Sequence, residues 1–518
     1  MLANLRKNLF SPILLIGWLL TVICYFFSKQ PDYLILLTFA QLVLVPAMVK
    51  MVVPFNKSGH MIMLLIMMFS VTLLHWLADS KLAIYLAIVY VLYTVFIALQ
   101  GVIRFLHRGF TNISELAIDI GLLYIFIGGL WFFAYIAEID TGFSPLITWL
   151  TAIHFHYSAC LLSISIGLFG RLHNSKWYKA VVMLLLAGPL LVALGITFST
   201  IIEILSVVFY IFAIYCLFML SWKTKFPKKQ GLLLRISYGS LCITILWSLL
   251  YAFGNLTGII LVTIPNMLAF HGLMNCLLFG LLGVLAWGIE VPSSSHQPFT
   301  FPVSQIRGKL QTIGEPHTGL VDALQDFVDT QKLPHVIPHF YEHTNDYRLN
   351  ASVQWQLWFK PFALLYQGIS RQMQQLNLPF LKKWVNMDGV IVKVDEQMDG
   401  RHAPRAWIRK IASQTTFVAI YSQHTTAQTT YMNIALPLPF STMIGILHVY
   451  EKDGALHITS SQTGDAGIYL ALRHFVLRLP LNEHFIITAK NSTTLTAVHT
   501  MRIFGLPFLR IDYEIERK

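Results

Sequence analysis

The chain has 518 residues, 56% of them hydrophobic and only 12% charged, with a formal net charge of +12. Charged residues are about half as frequent as in soluble proteins, and the first 290 positions hold just 16 of the 37 Lys and Arg and 8 of the 25 Asp and Glu. A soluble monomer, a disordered chain, a coiled coil and a secreted disulfide scaffold are thereby excluded.

A membrane span needs about 20 apolar residues to cross about 30 Å of hydrocarbon. Ten tracts qualify: 11–28, 33–53, 59–77, 82–103, 114–136, 146–169, 177–196, 199–220, 236–254 and 259–288. The last is overlong and contains Pro265, so the count is nine or ten. The apolar run after Arg6 and Lys7 lacks a small-residue cleavage site and reads as a retained first helix. With the N-terminus inside, 14 of the 16 basic residues, Lys57 among them, fall on inner segments, and only Lys29 and Lys81 fall outside. The loops are short, so the positive-inside rule applies and places the chain beyond residue 290 in the cytoplasm. All five cysteines lie in apolar tracts and read as buried and inert.

Ionisable residues in hydrocarbon need a partner, a water-filled cavity or a task. The fifth tract carries Glu115 and Asp119, whose i, i+4 spacing puts both on one face. The sixth carries His154 and His156, about 200° apart on a helix, so that one at most faces a given site. Glu203 opens the eighth, and the tenth pairs His271 with Asn275. The functional expectation is a polar centre built from Asp119, His154 or His156, His271 and Asn275, with Glu115 and Glu203 nearer the two faces. Carboxylate with imidazole also suits a metal site of Asp119, His154, His156 and His271, a proton relay, or axial haem ligation. The bland alternative is polar contact between helices. No cofactor is specified.

Composition changes at Val291, where Pro, Ser and Gln mark a linker. The domains expected are a transmembrane unit over 1–290, a linker over 291–315 and a cytoplasmic α+β domain over 316–518. The spacing predicts a helix over 316–330 and an amphipathic helical tract over 350–378, divided by Pro361 and packed on a sheet, the favoured place, or resting on the bilayer surface. From Met387 the period becomes two, with strands at 389–396, 404–411, 415–423, 427–435, 442–451, 454–461, 467–477, 481–489, 493–502 and 507–516. These predict a curved antiparallel sheet or small β-barrel, a shape that can enclose one small ligand. His402, Arg405, Arg409, His474 and Arg478 are candidates for binding an anionic ligand. Asp395, Glu396 and Asp399 read as surface charges in a turn. No phosphate loop, nucleophile elbow or Arg/aromatic stripe occurs, so nucleic acid is not an expected partner.

The runs Glu115-Leu-Ala-Ile-Asp119 with Trp131, His154-Phe-His156-Tyr157, and His271-Gly272-x-x-Asn275 resemble those of bacterial YndJ-like membrane proteins. The resemblance covers roughly the first 285 residues, with a weaker likeness in the tail Gly505-Leu506-Pro507-Phe508. It implies a multi-pass protein of the bacterial cell membrane and no settled activity. Three functions fit the sequence. A transport or lipid-handling protein, the favoured one, requires a bundle cavity open to one surface or to lipid, with a cytoplasmic domain that binds a lipid-like or other small ligand. A membrane metalloenzyme requires Asp119 and the histidines to converge on an ion. A sensor or scaffold requires a filled bundle. Lipid is the one partner implied directly; oligomeric state is not fixed.

Overall fold

The computed structural model describes residues 2–54, 58–294, 296–310, 314–373, 375, 377–412 and 414–518. Lys57 of the inner basic set lies outside the described residues, as do Ser295 and residues 311–313 of the expected linker. The chain forms two compact units, 1–105 with 112–296 and 106–111 with 297–518.

The first unit is a bundle of helices: α1 (Leu2–Asn8), α2 (Pro12–Phe27), α3 (Asp32–Val52), α4 (Ser58–Leu77), α5 (Leu82–Leu106), α6 (Ile113–Ile136), α7 (Pro145–Gly170), α8 (Lys176–Phe198), α9 (Thr200–Lys223), α10 (Lys228–Thr257) and α11 (Ile264–Ile289). Among the described residues nine of these, α3 to α11, are long and apolar enough to cross a membrane, while α2 has 16 residues. Helices apolar on every side suit a lipid-solvated bundle, because all backbone polar groups bond within the segment. Gly258 adopts a left-handed conformation at φ 76° and ends α10. Pro265 falls in the first turn of α11, where its missing N–H costs nothing. The overlong tenth tract is therefore a turn followed by a helix.

Three spans are widened by π-helical turns: Ala40–Leu44 in α3, Phe155–Leu161 in α7, and Met267–Gly272 with Asn275–Leu281 in α11. Such turns rotate the following side chains and are frequent at functional sites. The segments of α3, α7 and the second of α11 pack on one another. Tyr157 links them by donating to the Leu36 carbonyl at 2.8 Å and to Cys276 Sγ at 3.2 Å.

The second unit holds thirteen strands among its described residues: β1 (Tyr347–Trp355), β2 (Trp384–Asn386), β3 (Asp388–Lys393), β4 (Arg405–Ile411), β5 (Gln414–Thr426), β6 (Thr429–Leu438), β7 (Ser441–Lys452), β8 (Ala455–Thr459), β9 (Gly467–Ala471), β10 (Val476–Arg478), β11 (Leu481–Ala489), β12 (Thr494–Ile503) and β13 (Leu506–Arg517). All pairings are antiparallel, in the order β2-β1-β13-β12-β11-β8-β7-β6-β5-β4-β3, with β9 branching from β7. The sheet curls around a core yet stays open between β2 and β3, so it is the curved sheet and not a closed barrel. Helix α12 (Val336–Glu342) buries Ile337, Phe340 and Tyr341 in that core.

Two helical expectations are corrected. Residues 316–330 form irregular chain with short 3-10 turns at Leu324–Asp326 and Thr330–Lys332, although Leu320 and Leu324 are buried as expected. The first part of 350–378 is strand: Tyr347, Leu349, Ala351 and Val353 face inward, alternating with Arg348, Asn350, Ser352 and Gln354, and β1 pairs with β13 from Tyr347↔Arg517 to Trp355↔Leu509. Only α13 (Lys360–Met373) is helical, with Pro361 in its first turn. Its Phe362, Leu364 and Leu365 are exposed, while Ala363 and Ser370 are buried. The short helix α14 is Glu396–Asp399. Asp399 is fully buried, not a surface charge: it accepts from Arg401 Nε at 2.6 Å and from Ser304 Oγ at 2.6 Å.

Candidate functional site

Polar groups of the membrane unit gather in separate places instead of one centre. Where α5 ends and α6 begins, Arg104 donates to Asp119 Oδ1 at 2.9 Å and to Glu115 Oε2 at 2.7 Å. Arg171 donates to both oxygens of Glu115 at 2.7 and 2.9 Å. The two guanidinium groups also reach the carbonyls of Val52 and Pro292. Both carboxylates are only 1% exposed. Buried ions persist when paired and hydrogen-bonded, and bidentate guanidinium–carboxylate contacts supply both. Glu115 and Asp119 thus share a face as expected, but that face meets arginines and not histidines.

His156 is fully buried. Its Nδ1 lies 2.8 Å from the Ala152 carbonyl, which only accepts, so that nitrogen carries the proton and Nε2 accepts from the Tyr90 hydroxyl. Gly128 makes room: a Cβ there would stand 2.9 Å from His156 Nδ1. His154 is exposed on the side of the bundle, as the expected 200° separation requires, and donates to the Leu150 carbonyl. Its ring centroid is 6.4 Å from that of His271. His271 donates to the Thr244 carbonyl at 2.9 Å and accepts from Asn275 Nδ2 at 3.0 Å, while Asn275 Oδ1 accepts from Thr244 Oγ1 at 2.8 Å. His154, His271 and Asn275 therefore come together, and Asp119, Glu115 and His156 do not join them. Glu203 accepts from Asn255 at 3.0 and 3.3 Å. Among the described residues no three His, Cys, Asp or Glu side chains are grouped to hold a metal ion.

An opening in the bundle lies elsewhere. A cavity of about 520 Å³ begins between the loops bearing Asp79, Glu138 and Asp140, the end of the bundle opposite the arginine network. Phe132, Tyr135, Phe143 and Trp149 give it aromatic walls, and it reaches Thr38, His75 and Gln41. His75 is fixed at both nitrogens, by Ser28 Oγ at 2.7 Å and Thr38 Oγ1 at 2.9 Å. Gln41 sits on the π-turn of α3, 1% exposed. Among the described residues neither of its amide atoms makes a hydrogen bond of sound geometry, although the Tyr90 hydroxyl stands beside it. An unsatisfied buried amide costs about 1–3 kcal/mol. The sequence signal for this site was one glutamine inside an apolar tract.

In the sheet unit the five anion-binding candidates are dispersed. His402 is exposed and pairs with Glu396 at 3.2 Å. Arg405 is buried against Asp322. His474 is exposed, and Arg478 is half-buried at the end of β10. Arg409 alone points into the core, its guanidinium 4.4 Å from the Trp407 ring centroid and 4.3 Å from that of Phe417.

The fold and the cavity define a multi-pass α-helical membrane protein that carries an open antiparallel sheet domain. The YndJ-like protein family matches residues 35–279. The chain is 39% identical over 457 residues to a protein of Bacillus subtilis (strain 168) named "Uncharacterized membrane protein YndJ", covering 83% of each chain. The chain belongs to the YndJ-like family. No solved structure matches it.

Proposed function

We propose that this membrane protein binds and passes a small organic cation through the cavity of its helical bundle. The observation that carries the reading is the cavity of about 520 Å³ that runs from an acidic mouth to the unsatisfied Gln41 amide. That volume suits a small-molecule site. Asp79, Glu138 and Asp140 raise the local concentration of cations, and the faces of Trp149, Tyr135 and Phe132 attract an ammonium group, each by about 0.5–2 kcal/mol. A bundle cavity open at one end is also what a transport reading requires and a filled scaffold lacks. The metalloenzyme reading has less support, because arginine already neutralises Asp119.

In this reading the arginine-rich end of the bundle and residues 291–518 face the cytoplasm, and the acidic mouth faces outward. The segment up to residue 290 is the membrane domain, 291–315 the linker, and 316–518 the cytoplasmic domain. Uptake of labelled tetramethylammonium into proteoliposomes tests the proposal. It predicts uptake above that of protein-free vesicles, lowered at least tenfold by Gln41→Leu and by Trp149→Leu. Uptake equal to protein-free vesicles, or unchanged by both substitutions, overturns it.

A further inference from the structure

The curled sheet encloses a second cavity, of about 110 Å³, lined by side chains of β4 to β9 and β11 to β13 and by Phe340 and Tyr341 of α12. Most of the lining is aliphatic or aromatic, including Met432, Ile458, Ile487 and Ile511. Its polar groups are few: Arg409, Glu483, His499, the Trp407 indole and the phenols of Tyr341, Tyr421 and Tyr513. His499 and Glu483 satisfy each other at 3.1 Å. Arg409 is different. It is 9% exposed, makes no ion pair among the described residues, and its Nε has no hydrogen-bond partner. Aromatic faces on two sides and the Tyr513 hydroxyl alongside hold the guanidinium in place without neutralising it.

A buried cation with no carboxylate in contact is costly by several kcal/mol, and the one carboxylate of this cavity, Glu483, is held by His499. Arginine cannot shed its proton to escape that cost, as a lysine would. The missing charge is therefore expected from a ligand. We infer that this cavity is a binding site for a small monocarboxylate, its oxygens on the Arg409 guanidinium and its short apolar body against Met432, Ile458 and Ile487. Two features set the class. An apolar cavity of about 150 Å³ accommodates one benzene ring, so this smaller one suits a body of only a few carbons. The Glu483 carboxylate in the same cavity repels a phosphate dianion more strongly than a monoanion. Burial pushes the Tyr421 hydroxyl up to about 12 and raises that of Tyr513 as well, so both phenols stay protonated and donate to an anion.

The test uses the full chain in detergent, with butyrate as the probe and butanol, butylamine and inorganic phosphate as comparisons. Thermal unfolding and equilibrium dialysis of labelled butyrate are both read. The inference predicts that butyrate at ten times its dissociation constant raises the melting temperature by about 2–4 °C. The comparison compounds leave it unchanged, and Arg409→Gln weakens binding at least tenfold. Should Arg409→Gln fold poorly, Ala497→Leu fills the cavity without touching the arginine and is expected to abolish butyrate binding. No saturable butyrate binding, binding equal to that of butanol, or binding unaffected by both variants overturns the inference.

Discussion

The four charges Arg104, Glu115, Asp119 and Arg171 make the strongest residue-level commitment in the membrane unit. Removing one partner leaves a buried charge and is expected to cost about 3–5 kcal/mol. Thermal unfolding in detergent should show a clear fall for Arg171→Met and a partial return for Arg171→Met with Glu115→Leu, since the double change removes both charges. Asp399 in the sheet unit makes the same argument in a second place. Its fully buried pair with Arg401 predicts a comparable loss for Asp399→Asn, read by the unfolding of that unit. Titration adds a further expectation. Burial holds His448 below its ordinary 6.5, and burial followed by the nearby His457 does the same for His484. Unfolding therefore takes up protons below pH 6.5, so the stability these groups contribute is complete above that pH and is lost as pH falls beneath it. Melting of the sheet unit should drop as pH falls below about 6.5, and His448→Gln with His484→Gln should flatten the profile. A profile unchanged by both substitutions would refute the assignment.

At the scale of elements, legibility followed periodicity. Strand β13 shows why: Leu509, Ile511, Tyr513 and Ile515 are all buried, alternating with Arg510, Asp512, Glu514 and Glu516. Ile511→Ala is expected to cost about 2–5 kcal/mol and Arg510→Ala about 1 kcal/mol or less, measured by denaturant unfolding. Each of the ten expected strands has a counterpart, and the run 467–477 divides into β9 and β10 at a turn. The failures have physical causes. In 347–355 the alternation was present, but aromatic residues farther along suggested one helix across Pro361. Residues 316–330 carry helical spacing and bury Leu320 and Leu324, yet form only short 3-10 turns and no continuous helix, an override of local pattern by tertiary packing. Hydropathy reveals spans but not π-turns, so the widened turn on which Gln41 sits had no signature in the tracts.

For the molecule as a whole, the membrane class was legible because hydrocarbon imposes long apolar runs, and each expected tract holds a helix, the tenth after a turn. The candidate site was only partly legible. The sequence shows which residues are ionisable within the spans, but not which neighbours neutralise them. Arg104 and Arg171 read as loop charges that set topology, yet they hold Glu115 and Asp119 and so dissolve the expected polar centre. The cavity formed instead around groups of modest chemistry, an amide, a fixed imidazole and aromatic walls. If the arginine-rich end is cytoplasmic as proposed, protease added to intact cells leaves residues 291–518 uncut, and cutting there would reverse the orientation.

The most direct test places a cysteine at position 41 in a chain whose five native cysteines are replaced. Thiol reagents carrying either a quaternary ammonium or a sulfonate group are then added outside intact cells, and each rate is normalised to reaction with a free thiol. A cavity that admits small organic cations predicts modification by the ammonium reagent at least tenfold faster than by the sulfonate, slowed by tetramethylammonium. Equal rates, or no reaction with either reagent, would contradict the account.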